Sequence, residues 1–250
     1  MFVRPANGFS HRLARLALLL ACVGGLVVAS AGPLSRFGGF EPEMVISVFR
    51  YGAYASFAAV ALGLATIVPT RPGERRRGFL SALLAVVLGI AGAWMPVSFL
   101  LKAKALPVIN DISTDTSNPP PFVVTLQLRR GASTPAAYEG PRVAQLQHEG
   151  YPDIAPLLLR MPPDEAFRRV DRVAMAMGWD VVARAPQDGR LEAVDTSEWF
   201  GFRDDIVVRI RPEEGGSRID VRSKSRVGQS DLGVNAKRIR AFLTALREQG

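Results

Sequence analysis

Three long apolar runs fill most of the first 101 residues, and they constrain this chain more than any other feature. They are Leu13–Ala31, Met44–Val68 and Phe79–Leu101; Arg15 interrupts the first, Arg50 is the only charge in the second, and the third has none. A hydrocarbon core of about 30 Å takes about 20 helical residues to cross, so each run has transmembrane length. Inside lipid a single segment satisfies its own backbone only as a helix, which predicts three membrane-spanning helices. Gly24, Gly25, Gly52, Gly63, Gly89 and Gly92 suit close helix packing, and Pro96 falls in the last turns of the third run, where a kink is tolerated. The mean hydropathy of +0.14 agrees with a chain that is partly in lipid.

The first run admits three readings. It is a retained helix, a signal peptide cleaved after Ala29–Ser30–Ala31, or a lipoprotein leader acylated at Cys22 of Leu19–Leu20–Ala21–Cys22. Retention is the leading expectation, because the apolar run continues well past Cys22. Orientation follows from short-loop Lys and Arg. Arg4, Arg12 and Arg15 precede the first helix, and Arg71, Arg75, Arg76 and Arg77 lie between the second and third. The opposite side holds Arg36, with Lys102 and Lys104 at the exit. This asymmetry predicts a multi-pass protein of the cell inner membrane with a cytoplasmic N-terminus and a periplasmic C-terminal domain. Arg50 is read either as a snorkelling side chain or as a buried site residue.

Charge separates the two halves. Residues 1–104 hold eleven Lys/Arg against three Glu, whereas residues 105–250 hold twenty of each sign. The basic excess is therefore juxtamembrane, and nucleic acid is not an expected partner. One cysteine excludes a disulfide framework, and His11 and His148 are too far apart for a local metal motif, so neither a metal nor a cofactor is expected.

The soluble half opens with a proline-rich stretch, 105–162, read as an extended segment that wraps a domain or links it to the membrane. Within it, only Phe122–Leu128 reads as a strand. From residue 163 the pattern sharpens into a compact α+β domain. Phe167, Val170, Val173, Ala174 and Met177 form one helix face that Gly178 is placed to end. Strands are expected at Trp179–Arg184, Arg190–Thr196, Asp205–Arg211 and Ser217–Ser223, with hairpin turns at 186–189 and 213–216. Ile219 and Val221 alternate with Arg218, Asp220 and Arg222, so one sheet face is apolar and the other charged. A last helix over Gly233–Arg247 presents Ile239, Phe242, Leu243 and Leu246. The expected fold class is α+β: three transmembrane helices, then an antiparallel β-meander flanked by two helices.

Several motifs in order carry a resemblance: Asp111–Phe122 (DISTDTSNPPPF), Tyr151–Ile154 (YPDI), Glu192–Val194 (EAV), Trp199–Asp205 (WFGFRDD) and Arg222–Ile239 (RSKSRVGQSDLGVNAKRI). Together they resemble domain-of-unknown-function family 1499 over roughly residues 106–248. The resemblance implies a membrane-anchored envelope protein and brings no activity with it.

Candidate ligand-binding residues are Lys224, Arg226, Ser230, Asp231, Asn235 and Arg238, with Ser225 among them. Two readings stand: an anion pocket at the start of the last helix, or a helix cap at Ser230 or Asp231 braced by the arginines. Trp199 and Phe202 form a second candidate set, as an aromatic rim or a core plug. Adjacent Asp204 and Asp205 enter a strand pointing to opposite faces and so do not make a close acid dyad. Asp111, Thr114 and Asp115 lack an EF-hand pattern. No residue is assigned a catalytic role, since the serines lack a nucleophile-elbow setting. The leading functional expectation is a non-enzymatic binding module whose partners are the lipid bilayer and an envelope protein, a lipid or a small anionic ligand. An envelope hydrolase acting through the Arg226–Arg238 region is the alternative, and a transport role ranks third.

Overall fold

The computed structural model describes residues 8–71 and 78–248, so Arg4 and Arg75–Arg77 of the orientation argument lie outside the described residues. Two compact units divide the chain: residues up to Leu101 with Trp199–Gly201, and Lys102–Glu198 with the residues from Phe202 onward.

The first unit contains helices α1 (Gly8–Phe37), α2 (Pro42–Ile67) and α3 (Phe79–Ala105), each long and apolar enough to cross a membrane. Small residues set their spacing. A Cβ on Gly24 would collide with Ser56 and the Gly52 carbonyl, and one on Gly89 with Val60 and the Ser56 carbonyl. The Ser56 hydroxyl, fully buried, donates to the Gly52 carbonyl one turn back at 3.0 Å. Arg50 lies on the exposed side of α2 with its guanidinium 5.8 Å from the Tyr51 ring centre. Trp199–Gly201 completes this unit: the Trp199 indole occupies the space that Gly32 leaves open, and the Phe200 ring lies edge-on to Phe49 at 5.9 Å.

The second unit is a mixed α+β domain. Its elements are β1 (Asp111–Ser113), α4 (Thr125–Leu128), α5 (Pro141–Gly150), β2 (Leu157–Leu159), α6 (Pro163–Ala176), β3 (Asp180–Ala185), β4 (Arg190–Thr196), β5 (Arg203–Glu213), β6 (Gly216–Ser225) and α7 (Val234–Glu248). The antiparallel sheet runs β1-β6-β5-β4-β3, and β2 shares the outer edge of β6 with β1. β3 to β6 follow the four strands expected from alternation. β1 and β2 are too short to leave a pattern of their own.

Chain-local chemistry explains the main elements. The expected apolar faces of α6 and α7 are buried on one side of the sheet against Leu191, Ile206, Val208, Ile219 and Val221. Gly178, at φ 76°, stops α6: its N–H bonds the Met175 carbonyl, and the Trp179 N–H reaches back to Ala174 at 3.1 Å. Trp179 then stacks on Phe242 of α7 at 4.8 Å.

One expectation changes. Phe122–Leu128 is a bend followed by the short helix α4, not a strand, because the N–H groups of Val123, Val124 and Thr125 all bond the Glu192 carboxylate rather than a neighbouring strand. The charged sheet face, moreover, is not a solvent face. Residues 114–139 lie across it as a strap, leaving Asp220, Arg222 and Lys224 buried. The domain thus has three layers: two helices, the sheet, and an irregular strap.

Candidate functional site

β5 enters the sheet with adjacent acids whose side chains point to opposite faces, Asp204 toward α7 and Asp205 toward the strap. Arg226 and Arg238 are divided between them, Arg226 on Asp205 and Arg238 on Asp204, so the two do not share a pocket. On the strap face, Arg226 grips Asp205 with Nε and Nη2 at 3.1 and 2.7 Å, and Arg129 meets the other carboxylate oxygen. Arg129 also donates to Thr134 Oγ1 at 2.7 Å, and the Thr134 hydroxyl donates to the Ser225 carbonyl at 2.6 Å. On the same face, Arg222 makes a two-pronged pair with Asp111 at 2.9 and 2.8 Å. Lys224, wholly buried, donates to Asp111 at 3.1 Å, to Glu139 at 3.0 Å and to the Ala137 carbonyl at 3.3 Å. The Arg222 guanidinium also lies over the Phe122 and Tyr138 rings, at 4.6 and 5.5 Å. Burial and the nearby Asp111 push the Tyr138 hydroxyl up to about 12.

On the helix face, Arg238 donates to Asp195 and Asp204, each at 2.7 Å, and to Ser223 at 3.0 Å and Asn235. Burial opposes its charge, but the two carboxylates outweigh burial and hold its pKa above the ordinary value. Asn235 bridges the Asn110 carbonyl and Ser225 Oγ, each at 3.0 Å. Asp231 caps α7, accepting from the N–H of Gly233 at 2.9 Å and of Asn235 at 2.7 Å. Ser230 Oγ accepts from the Leu232 N–H at 3.3 Å. Trp199 and Phe202 lie in the β4–β5 connection; Phe202 closes that connection through paired bonds with Ser197 at 2.9 and 2.8 Å.

Removal of the Asp231 cap has a defined cost. Asp231→Ala is expected to lose about 1 kcal/mol of domain stability in urea unfolding, because two helix-start N–H groups lose their acceptor. Burial and then Asp204 raise the Asp231 pKa above 3.8, against the two backbone bonds. A carboxyl with a raised folded pKa binds its proton more tightly when folded, so its contribution falls as pH rises from the ordinary value through the raised one. The stability of the natural chain relative to Asp231→Asn should therefore decline across that window, and a difference that grows with pH contradicts the assignment.

Sequence reasoning missed the other half of these networks. Asp111 and Asp115, weighed as calcium ligands, instead serve arginines and Lys224; Asp115 meets Arg209 at 3.2 Å and Arg218 at 3.1 Å. Arg129, Glu139 and Asp195 had no motif around them, and the motif holding Glu192 said nothing of its partners. Among the described residues no group of three or more His, Cys, Asp or Glu is gathered as a metal site. A cleft of about 580 Å³ opens beside these networks, between α5, residues 108–110, the strap around Thr134 and the turn at Gly228. Val108, Ile109, Val143 and Leu146 supply its apolar wall, and Thr134, Glu139 and Arg142 its polar one. No candidate residue of the 224–238 set lines it, but Glu139 and Thr134 connect it directly to Lys224, Arg129 and Ser225 behind.

The family model described as protein of unknown function (DUF1499) matches residues 111–246. The chain belongs to that family. A search of curated proteins found no match. The DUF1499 match begins at the first residue of β1 and ends in the buried face of α7, so it takes in the strap, the sheet and both charge networks. The three apolar helices precede it.

Proposed function

We propose that this chain is an inner-membrane envelope protein whose DUF1499 domain is periplasmic and acts as a non-enzymatic binding module, with the cleft beside α5 as its site. The carrying observation is the saturation of the polar networks. Arg222, Lys224, Arg226 and Arg238 each have their charge met by a carboxylate at hydrogen-bond distance. Ser223, Ser225 and Ser230 are each engaged in a hydrogen bond that orders a turn or a helix start. His148, the histidine of this half, bonds Thr116 rather than any serine. A nucleophile or general base needs a neighbour that activates it and an opening toward substrate, and this constellation favours neither. Lys224, Arg226, Ser230, Asp231, Asn235 and Arg238 are therefore proposed as the frame behind the site. The cleft joins an apolar wall to a few convergent polar groups within the usual size range of small-molecule sites, about 300–1,000 Å³.

Two measurements test this reading. A reporter active only in the periplasm should work when fused after Gly250, and one active only in the cytoplasm when fused after Arg77. The full chain in lipid nanodiscs should show no turnover on ester, phosphate and glycoside panels. The opposite fusion pattern defeats the orientation, and turnover abolished by Asp231→Ala defeats the binding reading in favour of a hydrolase.

A further inference from the structure

We infer that the cleft takes a carboxylate with an apolar tail, its head on Arg142 and its chain along Val108 and Leu146. The inference rests on the binding-module reading and adds the ligand class. It comes from cancelling the charges around the cleft. Glu139 pairs with Lys224 at 3.0 Å, Lys224 with Asp111 at 3.1 Å, and Asp111 with Arg222 at 2.8 Å. Those four groups are two of each sign and neutralise one another. Arg142 remains. Its guanidinium has no ion pair or hydrogen bond among the described residues, and the first turn of α5 carries no acid to supply one. Arg130, Arg160 and Arg168 also make no ion pair among the described residues; what distinguishes Arg142 is its place on the cleft, where Glu139 is the other charged lining residue. A lone guanidinium at the edge of a cavity is thus the site's uncompensated charge, and its planar fork matches a carboxylate.

The wall beside it fixes the rest of the ligand. Val108 is 55% exposed although it adjoins the buried Ile109 and Val143, and Leu146 is half-buried on the same wall. Covering this surface with an alkyl chain removes apolar area from water on both partners. A cationic amphiphile would place its head against Arg142, where like charges repel, and Glu139 is already neutralised from behind.

The test uses the full chain in phosphatidylcholine nanodiscs, with empty nanodiscs as the blank, and equilibrium dialysis of labelled octanoate, octylammonium and acetate. Octanoate should bind saturably above the blank, and octylammonium and acetate should not. Arg142→Glu should weaken octanoate about tenfold, the scale of one charge-assisted contact, while Arg142→Lys, which keeps the charge but loses the fork, should fall between the natural chain and Arg142→Glu. Thermal unfolding of both variants should match the natural chain, because Arg142 leaves no partner behind. Octanoate that fails to saturate, or that binds Arg142→Glu unchanged, overturns the inference. If octylammonium saturates instead and Leu146→Asp abolishes it, the carboxylate assignment falls while the binding-module reading stands.

Discussion

Asp205→Ala should destabilise the DUF1499 domain by about 3–5 kcal/mol, the cost of leaving buried charge without its partner. Asp205 is fully buried and receives both Arg226 and Arg129, which are themselves at most a tenth exposed. Its removal leaves two guanidinium groups facing each other beneath the strap with no counter-charge, and neither reaches water without opening residues 129–134. The expected readout is a lower urea midpoint, followed by tryptophan fluorescence, in which the buried Trp179 reports on the sheet–helix core. Asp153→Ala supplies the contrast. Asp153 also makes a two-pronged pair, with Arg240 at 2.6 Å, but both side chains are about half exposed. Solvent screens that pair, and its loss should cost less than about 1 kcal/mol. Equal effects at the two sites would show that burial does not set the value of these ion pairs. Arg226→Ala belongs with the first case: stability and cellular function should fall together, because Asp205 keeps only Arg129.

Glu192→Ala should release the strap. The Glu192 side chain is fully buried and accepts from three successive backbone N–H groups, at 3.1, 3.1 and 2.9 Å, and from the Thr125 hydroxyl at 2.8 Å. Alanine leaves those donors without an acceptor, and each stranded buried group costs about 1–3 kcal/mol. Together these losses place the effect among the largest for a single substitution, about 4 kcal/mol. Amide hydrogen exchange locates it: Val123, Val124 and Thr125 should lose protection well before β5 and β6 do. Loss of protection spread evenly over the domain would mean that the carboxylate holds the whole sheet rather than the strap. Glu192→Gln should fall between the natural chain and Glu192→Ala, since one amide oxygen can still accept while the amide nitrogen faces N–H donors.

Both predictions turn on partners that are remote in sequence, and this is where reading the sequence ran out. The helix faces of α6 and α7, the stop at Gly178, the four longer strands and the opposite orientations of Asp204 and Asp205 were all legible, because they follow from spacings of two to four residues. So was the cap at Asp231, since capping acts within one turn. The proline-rich stretch was not. Its short strands β1 and β2 exist only because β6 offers an edge, and its apolar run became a helix start because a carboxylate 67 residues later captures Thr125.

What the sequence by itself determined is therefore everything set by local periodicity: three lipid-length helices, an α+β order, one apolar and one charged sheet face. It also determined that positive and negative charges balance over residues 105–250. Which charge neutralises which was decided only by the tertiary structure. Arg222 and Asp111 are 111 residues apart and Arg129 and Asp205 are 76 apart, so no window along the chain contains both members of either pair. The strap, by covering the charged face, turns those side chains from a solvated surface into a buried layer. Burial removes the water that would otherwise satisfy each charge, so every one of them must find a specific partner. Arg142, exposed at the edge of a cleft, is not under that requirement.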